Sequence, residues 1–201
     1  MASNYDIRID HAVLTFRNFS GTKGEYNPNG DRLFSVFLDG YNRRGEAFQD
    51  PDKVPQYRYG GEWLSPNDLI EALERDKWHV SWTKEKVLET GEVYHSRPKL
   101  KVKVKLNPDR PQFNPKIYTV NKDGEATKIG EESFHLLDGM WISNADLIIK
   151  PFNYEESKGI ADGHVAAQLK ILYVTPVADV DEDEFDGKYS VRVDSDDDIP
   201  W

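Results

Sequence analysis

The stretch Lys99-Leu100-Lys101-Val102-Lys103-Val104-Lys105-Leu106 alternates basic and apolar residues without a break. In a β-strand, successive side chains point to opposite faces, so Leu100, Val102, Val104 and Leu106 share one face and the four lysines the other. One face packs and the other is a ladder of positive charge, repeating about every 6.5 to 7 Å. Such a ladder has two readings. It is a solvated face whose lysines protect a sheet edge, or it is a track for the phosphates of an extended single strand, followed without reading sequence.

The flanking segments have the same β character. Ile7 to Phe16 and Leu33 to Leu38 are rich in β-branched and aromatic residues, and the polar stretch Ser20 to Asp31 joins them as a long loop. Trp78 to Thr83 and Lys116 to Val120 alternate between turn residues, which with Lys99 to Leu106 suggests an antiparallel meander. Ala145 to Phe152 and Val165 to Thr175 are two further strands, closed by Pro176. Ser65-Pro66 is an N-cap followed by proline in the first turn, with Leu69, Ile70 and Leu73 at helical spacing, so a helix should run to about Asp76. A second short helix is expected from Glu131 to Leu137. Tyr41 to Glu62 has no clear period and reads as an irregular excursion whose order is left open.

This order of elements suits a mainly β domain over residues 1–176: a small Greek-key barrel of the oligonucleotide/oligosaccharide-binding (OB) type with one or two short helices. Another β-sandwich gives much the same pattern. Residues 177–201 are mostly acidic or small and are expected to form a disordered tail. Of the 36 acids, ten lie between Asp179 and Trp201 against Lys188 and Arg192, a net of −8 out of the formal −10. The remainder is close to neutral and has room for a basic face, while a separate acidic arm suits interaction with partners. With no cysteine there is no disulfide framework and no thiolate chemistry. Without a long apolar run or a signal-like start, the chain is expected to be soluble and intracellular, with no membrane partner.

Single-strand binders stack bases on aromatic rings beside cations. Phe19, Tyr26, Tyr57, Tyr59, Tyr94 and Tyr118 lie in or near polar segments containing Arg17, Lys23, Arg58, Arg97 and Lys116. Trp78 and Trp82 share a strand face with Val80 and lean toward a core, which turns His79 and Ser81 outward. The candidate DNA-binding set is therefore Lys99, Lys101, Lys103 and Lys105, with Arg17, Phe19, Tyr26, His79, Tyr94, Arg97, Lys116 and Tyr118. No catalytic residue, metal ligand or cofactor is expected. The five histidines are scattered, Gly21-Thr22-Lys23-Gly24 lacks the register of a phosphate loop, and pairings such as Asp138 with Asp146 mean little among so many acids.

The most specific motif is Asp196-Asp197-Asp198-Ile199-Pro200-Trp201, where an acidic run stops against a restricted proline and a terminal aromatic plug. It resembles the C-terminal tip of bacterial single-stranded DNA-binding proteins, which closes on Asp-Ile-Pro-Phe; here Trp201 stands in place of the phenylalanine. In the body, Phe16-Arg17-Asn18-Phe19-Ser20-Gly21, Tyr26-Asn27, Gly30-Asp31-Arg32, Trp78-His79-Val80, Leu137-Asp138, Asn144 to Pro151 and Leu172-Tyr173-Val174-Thr175 resemble a group of bacteriophage single-stranded DNA-binding proteins.

That resemblance implies an OB-type fold and a non-enzymatic protein that coats and protects single-stranded DNA in phage replication, recombination or repair, inside the bacterial host. The tip would recruit host or phage replication, recombination and repair proteins, and homo-oligomers are left open. The alternatives are a metal-dependent phage nuclease or resolvase and a virion β-sandwich protein.

Overall fold

A computed structural model describes residues 5–153 and 164–177. The acidic tail and its tip, Asp196 to Trp201, lie outside the described residues. The chain runs through β1 (Ile7–Asp10), β2 (Leu14–Asn18), β3 (Leu33–Phe37), β4 (Gln56–Tyr59), β5 (Glu62–Leu64), α1 (Pro66–Arg75), β6 (Val80–Trp82), β7 (Lys86–Val87) and β8 (Val93–Tyr94). It continues with β9 (Pro98–Lys103), β10 (Lys116–Val120), β11 (Ala126–Lys128), α2 (Leu136–Gly139), β12 (Ile142–Asn153) and β13 (Val165–Pro176).

The strand order β2-β3-β9-β13-β12-β1 begins and ends on neighbouring segments of one stretch of chain, Ile7 to Asn18. Among the described residues this path closes on itself. Counting β1 and β2 as one interrupted strand, it is a five-stranded barrel in which every neighbour is antiparallel except β9 and β13, which run parallel. That is the Greek-key barrel of the OB fold. The expected antiparallel meander is corrected in one respect: β10 does not follow β9 in the sheet but runs parallel to β13, with β11 on its far side. Pairing of this kind links segments far apart in sequence, which alternation within one segment does not encode.

The apolar faces converge as the alternation requires. Leu100, Val102 and Val104 from the lysine strand are buried with Phe34, Val36, Ile117, Leu147, Ile149, Leu172 and Val174. β12 and β13 are long enough to curl because their register shifts between Ile142 and Asn144 and between Ile148 and Ile149.

Helix α1 forms where the cap predicts it. Ser65 Oγ accepts from the Asp68 amide, and Leu69, Ile70, Ala72 and Leu73 are buried. Its end is tied to β4 through Trp78, whose Nε1 donates to the Tyr59 hydroxyl, which in turn donates to Asp76. The excursion from Tyr41 to Glu62 is more regular than its sequence suggests, since it holds β4 and the start of β5, and β4 extends the sheet beyond β1. Glu131 to Leu137 divides into a 3-10 turn, Glu131–Ser133, and the single turn of α2.

Two irregularities in the first strand shape the barrel, and a carboxylate holds each. Between β1 and β2 the chain turns at His11, whose φ is 57°. There the His11 amide donates to Asp146 (2.8 Å), the ring Nδ1 pairs with Asn144 Oδ1 (2.7 Å), and Asn144 donates to the other oxygen of Asp146. Further on, the β2–β3 register shifts between Thr15 and Asn18. Asp138 of α2 accepts from both the Phe19 and Ser20 amides at that bulge, and the Arg17 guanidinium donates to the Leu137 and Met140 carbonyls.

The bulge reverses the alternation, so Phe16 points outward, 57% exposed, and Phe19 points inward, fully buried and stacked on Phe34 with ring centroids 5.0 Å apart. Phe19→Ala should therefore cost about 3 to 5 kcal/mol of stability, and Phe16→Ala less than about 0.5. Asp138→Ala, which leaves two partly buried amides unpaired, and Asp146→Ala, which leaves one, should each cost about 1 to 3 kcal/mol. Chemical denaturation of the four variants checks this ordering.

Candidate nucleic-acid interface

The outward face of β2, β3 and β9 is built in rows across the strands. Thr15 lies opposite Ser35 and Ser35 opposite Lys101; Phe37 is opposite Lys99 and Leu33 opposite Lys103. On the other side of β9, Lys103 adjoins Gln168 of β13. Thr15, Ser35 and Gln168 are the buried polar side chains among the described residues, and all three lie on this face. Small or flat polar groups thus make a low floor, and the longer lysines and phenyl rings rise around it.

Cations and rings meet at both ends of the ladder. Lys99 Nζ sits 4.3 Å from the Phe16 ring centroid, and Lys105 Nζ sits 5.3 Å from that of Phe152. Burial, then the neighbouring Lys101, lowers the Lys99 pKa, so the protonated form gains from an anion arriving there. Lys103 reaches Asp31 at 3.2 Å, whereas Lys99, Lys101 and Lys105 make no ion pair among the described residues. At the Lys105 end, Asp31, Arg32, Phe152, Ala166 and Gln168 surround an open depression of about 410 Å³.

Phe16 opens one of the motifs quoted from the sequence but is not in the candidate DNA-binding set. Strict alternation with Leu14 places it inside; the bulge turns it out. Its φ of 48° lies in the left-handed region, which an aromatic residue rarely adopts. A strained, exposed ring beside an unpaired cation is the arrangement expected at a binding surface. The signal in the sequence is present but faint, as Phe16 and Phe19 are three apart and cannot both follow one alternating face.

Several sequence candidates have other duties. Phe19 is in the core and cannot meet a base, and Tyr57 and Tyr59 are likewise buried. The Arg17 side chain is spent in part on the carbonyls of α2. Arg97 is held by Asp39 at 2.6 Å and lies over the Phe37 ring at 3.7 Å, donating also to the Tyr41 and Arg43 carbonyls. It closes one end of the lysine face and ties down the loop that follows β3.

Other candidates are exposed or, like Tyr118, half-buried, but stand elsewhere. Tyr118 stacks on Tyr173 at 4.8 Å beside Lys116 on β10, away from β9. Tyr94 sits in the β7–β8 hairpin, His79 packs edge-on to His164, and Tyr26, 91% exposed, is in the β2–β3 loop. Trp78 is buried as its strand face implies, while Trp82, at the end of β6, is half exposed.

No family model matches the chain, and no curated protein matches it. Among solved structures the chain is similar to gp2.5, a single-stranded DNA binding protein encoded by bacteriophage T7, at 11% identity and a TM-score of 0.30, over 89% of this chain and 94% of that one. The strand pairing of this chain is itself what establishes its barrel.

Proposed function

We propose that this protein binds single-stranded DNA along the outward face of β2, β3 and β9 and coats it without strong sequence preference. The observation that carries this reading is the line of lysines on β9 and just beyond its end at Lys103, three of them without an ion-pair partner among the described residues, running between the rings of Phe16 and Phe152. The strand expected over Lys99 to Leu106 ends at Lys103, and with strand-like geometry the chain from Lys99 to Lys105 spans about 20 Å. Charges at that spacing follow a phosphate backbone, and a phenyl ring stacks on any base, so neither component reads sequence. In OB barrels the face of the second and third barrel strands is the usual oligonucleotide surface, and here those strands are β3 and β9.

The setting we infer is phage DNA replication, recombination or repair within the bacterial host, on the resemblance of the body motifs and the tip. DNA and partner proteins would occupy different parts of the chain: Asp196 to Trp201 would recruit replication, recombination and repair enzymes, with Trp201 as the plug and the aspartates meeting a basic rim. A nuclease built on Asp138 and Asp146 finds less support, because both carboxylates are occupied by backbone amides of the first strand and the residues just after it.

Replacing Lys101, Lys103 and Lys105 with alanine should leave the fold intact and weaken binding to every single-stranded sequence. The plot of log affinity against log salt should become shallower by about 2, at about 0.7 for each phosphate that is no longer neutralised. Phe16→Ala should cost about 1 to 3 kcal/mol of binding. Unchanged affinity and slope in a folded triple variant would reduce the ladder to a solvated face. For the tip, Trp201→Ala should abolish capture of replication and repair proteins in a pull-down while DNA affinity stays at the parent level, and Trp201→Phe should retain much of the capture.

A further inference from the structure

Beyond the Arg97 end of the lysine face the barrel is not hydrogen-bonded shut. β2 pairs with β3 but has left β12, and the gap between Leu14–Arg17 and Met140–Asn144 is a cleft of about 310 Å³. Its lining is largely apolar, with cationic and aromatic side chains at its walls. Arg17 forms one wall, Arg43 and Lys53 come from the loop on the opposite side, and Trp141 stands at the lip, 80% exposed.

The Arg17 side chain and the backbone at Arg43 and Trp141 are held in place. Arg17 is fixed on the Leu137 and Met140 carbonyls, and the Trp141 carbonyl accepts from the Val177 amide at 2.8 Å. Arg43 belongs to a turn in which the Asn42 side chain accepts from the Arg44 and Glu46 amides, while Arg97 donates to the carbonyls of Tyr41 and Arg43. Arg97 thus joins the end of the lysine face directly to the loop that lines the cleft.

The charges in the cleft are only partly offset from within. Arg43 and Lys53 make no ion pair among the described residues, and Asp138, whose carboxylate also accepts from the Phe19 and Ser20 amides, acts on Arg17. Burial, and then repulsion from Arg43, lowers the Arg17 pKa. Three cationic side chains lining one cleft with a largely solvent-exposed indole at its lip favour a ligand that brings both negative charge and a flat ring.

Resting on the reading of the lysine face as a single-strand track, we propose that the track continues past Lys99 and Phe16 into this cleft. A further nucleotide is held there, its phosphate between Arg17, Arg43 and Lys53 and its base against Trp141. Phe16 and Arg17 are consecutive residues facing the two regions, so the bulge in β2 is the point at which the strand passes from one to the other.

The test is length dependence. Oligothymidylates from about 4 to about 20 nucleotides are titrated against the full-length parent, Trp141→Ala, Trp141→Phe, Arg43→Ala with Lys53→Ala, and the triple lysine variant, with thermal denaturation confirming that each is folded. The parent and the cleft variants should bind the shortest oligomers alike. On longer ones Trp141→Ala and the Arg43/Lys53 pair should lose about 5- to 50-fold, and Trp141→Phe should recover most of the loss. Ultraviolet crosslinking of long oligothymidylate should map to Trp141. The inference is overturned if the cleft variants keep the parent's length dependence while the lysine variant has lost affinity, or if an acidic peptide of residues 190–201 protects Trp141 and DNA does not. A parent that binds no oligomer overturns the lysine-face reading and this one together.

Discussion

A closed barrel of this kind needs one strand that pairs at both ends of the sheet, and Ile7 to Asn18 does so only by breaking in its middle. β1 pairs with β12 and β2 pairs with β3, with a left-handed residue, His11, at the break. An unsupported turn there exposes amides that a continuous strand would have satisfied. Asp146 supplies the missing acceptor from the neighbouring strand, and Asn144 pairs with the His11 ring and donates to Asp146, so closure depends on a few polar contacts as well as on the core.

The same logic repeats at the bulge before Phe19, and its consequence reaches the surface as well as the core. Asp138 takes the two amides that the bulge leaves unpaired. Because the side-chain period of a strand is two, shifting the register by one residue exchanges what is inside and what is outside. Phe19 enters the core, Phe16 leaves it, and an otherwise ordinary lysine face acquires an aromatic ring at the point where Lys99 is partly desolvated. The acids of the body that a charge count sets against nucleic-acid binding are in these two cases what shapes the basic face.

Cations on this molecule also differ in what they are available to do. Arg17 and Arg97 each spend their guanidinium on carbonyls or on Asp39, geometry that a planar fork satisfies well and an ammonium does not. The lysines of β9 have no such bonds apart from Lys103 with Asp31. Rigid arginines therefore build one end of the surface, and hydrated lysines on flexible stems line it.

Much of this is legible in the sequence. The alternation of Lys99 to Leu106 determined that β9 has one buried and one basic face, Ser65-Pro66 determined the start of α1, and the β-branched segments determined β12 and β13, because each depends on periodicity or capping within a few residues. Which segments become neighbours did not follow, since β10 beside β13, β4 beside β1 and the cleft flanked by Arg17 and Trp141 all join residues distant in the chain. Nor did the exchange of Phe16 and Phe19 or the occupation of Asp138 and Asp146. A bulge is fixed by partners on another element, and the acceptors at both irregular points lie more than a hundred residues downstream. Local pattern determined the faces, and only the tertiary structure decided which faces meet.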